Sequence, residues 1–152
     1  MPSLPRADSD AAYLEAASRI IFMGGLNRRV VEGKWPGFRA AFHGFDPQQV
    51  AAMSDGEVAA LAQDDRVIKY AAKLAAVVRN ARTLGRLAGQ AGFGTYLEAL
   101  LAQGGLDGAC RTLAANFDYI SPEGARNWLY STGWDVGEVT EKVRAKYAPF
   151  DL

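Results

Sequence analysis

The sequence predicts an all-α fold. Three observations carry this expectation. Alanine, the strongest helix former, occurs 27 times in 152 residues. Runs of β-branched residues are short and scattered, which disfavours paired strands. Apolar residues return at three- and four-residue intervals along most of the chain, the period of a helix face. No internal repeat or low-complexity linker interrupts the pattern, so residues 1–152 are expected to form one compact helical domain.

Each element has its own signal. Asp8, Ser9 or Asp10 caps a first helix ending near Met23, with Tyr13, Leu14, Ala17, Ile20 and Ile21 on its apolar side. Gly24-Gly25 stops it. Asn27 caps a second helix expected to end near Glu32, because Trp35-Pro36-Gly37 reads as a turn before a short third helix on Phe38, Ala41 and Phe42. Asp46-Pro47 is an N-cap followed by a proline at the first helical position. Ser54-Asp55-Gly56-Glu57 is a capping box opening a helix through Ala62. The longest helix is expected over about 69–88, with Leu74, Val77, Val78, Ala81 and Leu84 facing inward. Glycines 89, 92 and 94 end it before Thr95 caps a short helix to Leu101. Further helices fit 106–115, 122–131 with Ser121 as N-cap, and 137–147.

Composition excludes several function classes. No apolar run approaches the ~20 residues that cross a bilayer, and the polar, proline-interrupted start Met1–Arg6 is unlike a signal peptide. A cytoplasmic protein without membrane contact is therefore expected. One cysteine, Cys110, allows no intrachain disulfide, and one histidine, His43, no zinc site of the usual Cys/His kind. No metal and no cofactor are expected. No phosphate-binding Gly-x-x-x-x-Gly-Lys-Ser/Thr run is present, and His43 has no recognisable nucleophile or acid partner. His43 reads as a helix-end residue packed between Phe42 and Phe45, Cys110 as a buried filler, and Trp35, Phe38, Phe42 and Phe45 as core.

The net charge is zero, with 17 basic and 17 acidic residues, yet the charges are sorted. From Arg66 through Leu97 lie Arg66, Lys69, Lys73, Arg79, Arg82 and Arg86 with no acid among them, while acids collect at 8–15, 46–65 and 135–151. Such sorting suits either a positive face for a polyanion or the solvated side of an amphipathic helix. Ile120-Ser121-Pro122-Glu123-Gly124-Ala125 is a tight turn before a helix whose N-terminal amides, with Arg126, are of the kind that hold a phosphate. Glu123 opposes that use.

The stretch Gly24-Gly25-Leu26-Asn27-Arg28-Arg29-Val30-Val31-Glu32-Gly33-Lys34-Trp35-Pro36-Gly37-Phe38, running on to Phe42-His43-Gly44-Phe45-Asp46-Pro47, resembles the DNA-3-methyladenine glycosylase I family. Val50-Ala51-Ala52-Met53 and Asp65-Arg66-Val67-Ile68-Lys69-Tyr70-Ala71-Ala72-Lys73-Leu74 extend the resemblance, and Phe117–Trp134 carries a weaker echo of the family's helix-hairpin-helix. The resemblance implies a two-lobed helical bundle of the helix-hairpin-helix DNA glycosylase type. It implies duplex DNA as partner, a base flipped into a pocket between the lobes, and hydrolysis of its N-glycosidic bond. By position the base pocket falls on Ile20, Phe22, Met23, Asn27, Arg28 and Trp35, and the DNA contacts on Lys69, Lys73, Ser121, Gly124 and Arg126.

Several positions depart from the family's pattern. Ile20 stands where the base-reading carboxylate is expected, Arg28 where a stacking tryptophan is expected, and Ser121 where the hairpin glycine is expected. The family's N-terminal segment with a pocket tyrosine and two metal ligands, and its C-terminal ligand pair, are not expected within residues 1–152. No catalytic residue is therefore assigned from sequence. Three readings follow: excision of alkylated bases, a catalytically silent DNA- or lesion-binding module, or a scaffold reused for a small ligand or protein partner.

Overall fold

A computed structural model describes residues 4–150. Among them are eight α-helices and no strand: α1 (Asp10–Met23), α2 (Arg28–Ala41), α3 (Pro47–Ala51), α4 (Asp55–Leu61), α5 (Ala71–Ala88), α6 (Phe93–Asn116), α7 (Pro122–Ser131) and α8 (Glu141–Lys146), with a 3-10 turn at His43–Phe45 between α2 and α3. The all-α expectation holds. No helix among the described residues is long and apolar enough to cross a membrane.

The caps follow the sequence closely. Ser9, Asn27, Asp46 and Ser121 each accept a hydrogen bond from a backbone N–H of the first turn they precede. Ser54 and Glu57 satisfy each other's backbone N–H groups in a full capping box. Each side-chain cap supplies one of the donors that a helix start leaves unpaired.

Two aromatic clusters organise the interior. In one, Trp35 stacks on Phe38 and Phe45 at 4.7 and 5.4 Å between centroids, with Phe22 edge-on to Phe38 and Phe42 alongside. In the other, Phe93 contacts Tyr13, Tyr96, Phe117 and Trp128. Helix α1 serves both, giving Phe22 to the first and Tyr13 to the second, and is itself largely buried. The Trp128 indole N–H donates to the Tyr13 carbonyl, and that of Trp134 to the Tyr13 hydroxyl, both at 3.0 Å. Buried Asn80 on α5 fixes the α6–α7 turn, donating to the Asp118 carbonyl and accepting from the Asp118 N–H.

Some elements differ from expectation. Helix α2 continues through Trp35-Pro36-Gly37 to Ala41, so no separate third helix forms at Phe38. An interior proline costs about 3 kcal/mol or more, and here it sits between Trp35 and Phe38, both fully buried. Core packing therefore overrides the turn signal. Helix α5 begins at Ala71 rather than Lys69 and is not the longest; α6 is, running from Phe93 to Asn116 across a break at Gly105 (φ 66°, ψ −172°). Thr95 lies inside α6 and is not its cap, because the Phe93 N–H is already taken by Asp10. The last helix shortens to α8, capped by Thr140. His43 is exposed with φ 55° rather than packed among the phenylalanines, whereas Cys110 is buried as expected.

Two glycines of α2 illustrate how tightly one side of this helix is held. A Cβ on Gly37 would lie 1.9 Å from the Arg66 carbonyl oxygen, whereas a Cβ on Gly33 would meet nothing within 4 Å. Gly37→Ala is predicted to destabilise the protein by about 1–3 kcal/mol. Gly33→Ala is predicted to stabilise it by about 0.5–1 kcal/mol. Urea denaturation of the two variants checks both signs.

Candidate functional site

The α1 side chains Ala16, Arg19, Ile20 and Met23 recur at helical spacing and line a small cavity of about 60 Å³. Ser131 at the end of α7 and the segment Tyr147–Phe150 close it. It has room for a few waters and none for a nucleobase. The reason is the chain itself: the segment after α8 folds back over α1 and α2.

Arg28 anchors that segment. Its Nη1 donates to the carbonyls of Lys146 at 3.0 Å and Ala148 at 2.5 Å, with a longer bond to Ala145 at 3.3 Å. Its Nη2 donates to the Pro149 carbonyl at 2.7 Å and to Glu32 at 3.4 Å. A helix end leaves its last carbonyls without intrahelical donors and carries partial negative charge. Arg28 supplies both the donors and the cation from a different element. Tyr147 adds a hydrogen bond with Asn127.

Phe150 occupies the centre of the arrangement. Its ring is edge-on to Trp35 at 5.7 Å, with the guanidinium carbons of Arg19 and Arg28 at 4.5 and 4.9 Å from its centroid. Arg19 also lies 5.6 Å from the Trp35 ring and 3.7 Å from Glu15. Its Nε is buried and has no hydrogen-bond partner among the described residues. Burial pulls the Arg19 guanidinium below its usual range by more than Glu15 raises it.

Glu15 pairs with Arg19 beside this centre, and the family pattern does not single it out. It accepts from the Trp35 indole at 3.0 Å and from Arg39 at 2.5 Å. Burial pushes the carboxyl up, but the bonds from Arg39 and Trp35 and the charge of Arg19 outweigh that and hold it below its ordinary value. The Glu15/Arg19 spacing of four residues on one helix was the available signal. Glu15 does not line the cavity, and no carboxylate among the described residues does.

The structure brings together only part of the set named from sequence. Ile20 and Met23 line the cavity, and Arg28 and Trp35 both contact Phe150. Phe22 faces the core against Phe38, and Asn27 is spent as the α2 N-cap. Lys73 is buried, donates to the Gly24 carbonyl at 2.7 Å, and lies 5.0 Å from the Tyr70 ring; burial lowers its pKa. Lys69 pairs with Asp65, Arg66 with Asp64, and Arg79 with Asp118, while Arg82 donates to the Ala51 and Met53 carbonyls. Among the described residues, only Arg86 of that basic run has neither ion pair nor hydrogen bond. The Ser121 hydroxyl accepts from the Gly124 N–H, and Gly124 approaches Ile20. Arg126 turns away to the Val136 and Glu138 carbonyls. No three His, Cys, Asp or Glu residues gather as a metal site among the described residues.

A family model described as methyladenine glycosylase matches residues 6–116. The chain belongs to that family. DNA-3-methyladenine glycosylase 1 of Escherichia coli (strain K12) is 43% identical over 58 residues, 38% of this chain and 31% of that protein. A DNA-3-methyladenine glycosylase of Haemophilus influenzae is 40% identical over a segment of the same size. The matched segment thus spans about a third of either curated relative. A single-residue variant of 3-methyladenine DNA glycosylase I solved with 3-methyladenine superimposes with a TM-score of 0.76 at 18% identity, covering 88% of this chain and 82% of that one. The Staphylococcus aureus enzyme solved for 3-methyladenine recognition gives 0.75 at 16% identity, covering 86% and 80%. These structures share the methyladenine glycosylase fold with this chain.

Two outcomes follow from the geometry. Arg28→Ala is predicted to speed amide hydrogen exchange throughout residues 141–150 while leaving α1 and α5 protected; charge-assisted bonds of this kind contribute about 1.5–3 kcal/mol. Glu15 has a depressed folded pKa, so its stabilisation is present above the ordinary carboxyl value of 4.5 and is lost as pH falls through the lower folded value. The stability difference between wild type and Glu15→Gln is therefore predicted to shrink as pH falls below about 4.5, as measured by urea titrations across the acid range.

Proposed function

We propose that this chain is a DNA N-glycosylase that excises alkylated bases, using the slot under Phe150 as its base site. The observation that carries the reading is that an aromatic ring already sits there, edge-on to Trp35 and beside Ile20, at the cavity between α1 and the segment after α8. A flipped base is also an aromatic ring, and displacing residues 147–150 opens the space it needs. Family membership supports duplex DNA as the partner and a cytoplasmic repair role.

Contact with the duplex would fall to side chains that the fold holds outward. Leu26, Tyr70 and Tyr119 are large, apolar or aromatic, and exposed. Tyr119 has φ 61°, a conformation that costs of order 1–3 kcal/mol in a non-glycine residue, and the Asn80 clamp on Asp118 holds it there. Leu26 follows the Gly24 carbonyl that Lys73 binds, next to Tyr70. Aromatic stacking on a base contributes about 1–3 kcal/mol.

A second reading, a module that holds a lesion without excision, is favoured by one observation: no carboxylate among the described residues lines the cavity. One experiment separates the two. Duplex DNA bearing methyl and etheno adducts is incubated with the protein in excess over lesions, and released bases and alkali-labile abasic sites are measured. Excision predicts both products in equal amounts. Bound DNA without abasic sites overturns excision and leaves the binding module.

A further inference from the structure

We propose that the slot filled by Phe150 is built for an uncharged aromatic base and rejects a cationic one, with Arg19 and Arg28 facing the negative charge that an uncharged base develops as it leaves. The inference rests on the reading that this slot is the base site. Phe150 is itself an uncharged ring, and the two guanidiniums stand 4.5 and 4.9 Å from its centroid. A guanidinium attracts the electron-rich face of a neutral ring. It repels a ring that carries a positive charge, and at such distances the repulsion is substantial even in a partly solvated site.

Among the described residues, the neighbouring acids do not reverse the sign. Glu15 is shared among Arg19, Arg39 and the Trp35 indole, and Glu32 faces Arg28. Ile20, the α1 residue one position on from Arg19, is apolar and lines the cavity. On the donor side, Arg19 keeps a buried Nε without a partner among the described residues. Arg28 spends most of its donors on the carbonyls of residues 145, 146, 148 and 149, so removal of that segment frees them at the moment the slot opens and leaves the longer bond to Glu32.

The chemistry fits the same base class. A cationic base leaves as a neutral molecule and gains nothing from nearby cations. An uncharged base leaves with the electron pair of the C1′–N bond and is an anion as it departs. In the hydrolysis that bond breaks, the oxygen of water bonds to C1′ and gives up a proton, and the departing base anion takes one up. Donors placed beside the developing charge stabilise that transition state more than the ground state.

The test is equilibrium binding of the full chain to two duplexes differing only in one lesion, an uncharged etheno-adenine or a cationic N7-methylguanine, read by fluorescence anisotropy at fixed salt. The etheno-adenine duplex is expected to bind roughly 10-fold tighter or more. Phe150→Ala should tighten that complex several-fold, and Arg19→Gln should narrow the preference. Equal affinities, binding to neither duplex, or preference for the cation would each overturn the inference, and the wild-type comparison decides this without the variants. Base release is followed on the same duplexes. A retained preference without release defeats the excision reading alone.

Discussion

Two indole N–H groups, of Trp128 and Trp134, 115 and 121 residues further along the chain, converge on Tyr13, one on its carbonyl and one on its hydroxyl. That convergence fixes α1 between two aromatic clusters, and everything at the site is measured from α1. Tyr13 and Phe22 are fully buried on opposite commitments, one to Phe93 and Trp128, the other to Phe38. With those two side chains placed, the helix has no rotational freedom left. Ala16, Arg19, Ile20 and Met23 then share the one stripe that remains for a cavity. Glu15, next to that stripe, is pulled onto Trp35 and Arg39.

The same frame explains how an arginine is accommodated where the family pattern leads one to expect an indole. Arg28 sits in the first turn of α2, a poor place for a cation with respect to its own helix dipole. The mismatch is answered from outside. The end of α8 brings a row of carbonyls to the guanidinium, and Phe150 brings a ring face. One side chain thereby closes a distant helix and holds an aromatic residue over Trp35.

Much of the fold was legible because it is written locally. Ser9, Asn27, Asp46, Ser54 and Ser121 each announce a helix start through a hydrogen bond spanning two or three residues, and all five do so in the structure. Pro36 misled because its local preference is for a turn, whereas the burial of Trp35 and Phe38 on both sides of it depends on partners that sequence windows do not contain. The candidate site was legible in part along α1 and α2: of the residues named by position, Ile20 and Met23 line the cavity, and Arg28 and Trp35 contact Phe150. Phe150 was not named, since its contact with Arg28 spans more than a hundred residues. The basic run from Arg66 was visible as charge. Its partners Asp64, Asp65 and Asp118 lie outside the run and become apparent only in three dimensions.

Residues 5–7 run beside residues 132–134: Ala7 donates to the Thr132 carbonyl, Arg6 to that of Gly133, and the Arg6 guanidinium covers Trp134. Gly133 is required there, because a Cβ would fall 2.5 Å from the Pro5 carbonyl. During synthesis, domains fold as their chain becomes available, and here α1 is made more than a hundred residues before its last partners. A ribosome therefore carries an unfinished α1, with Tyr13 and its apolar neighbours still uncovered, until Trp134 has cleared the exit tunnel.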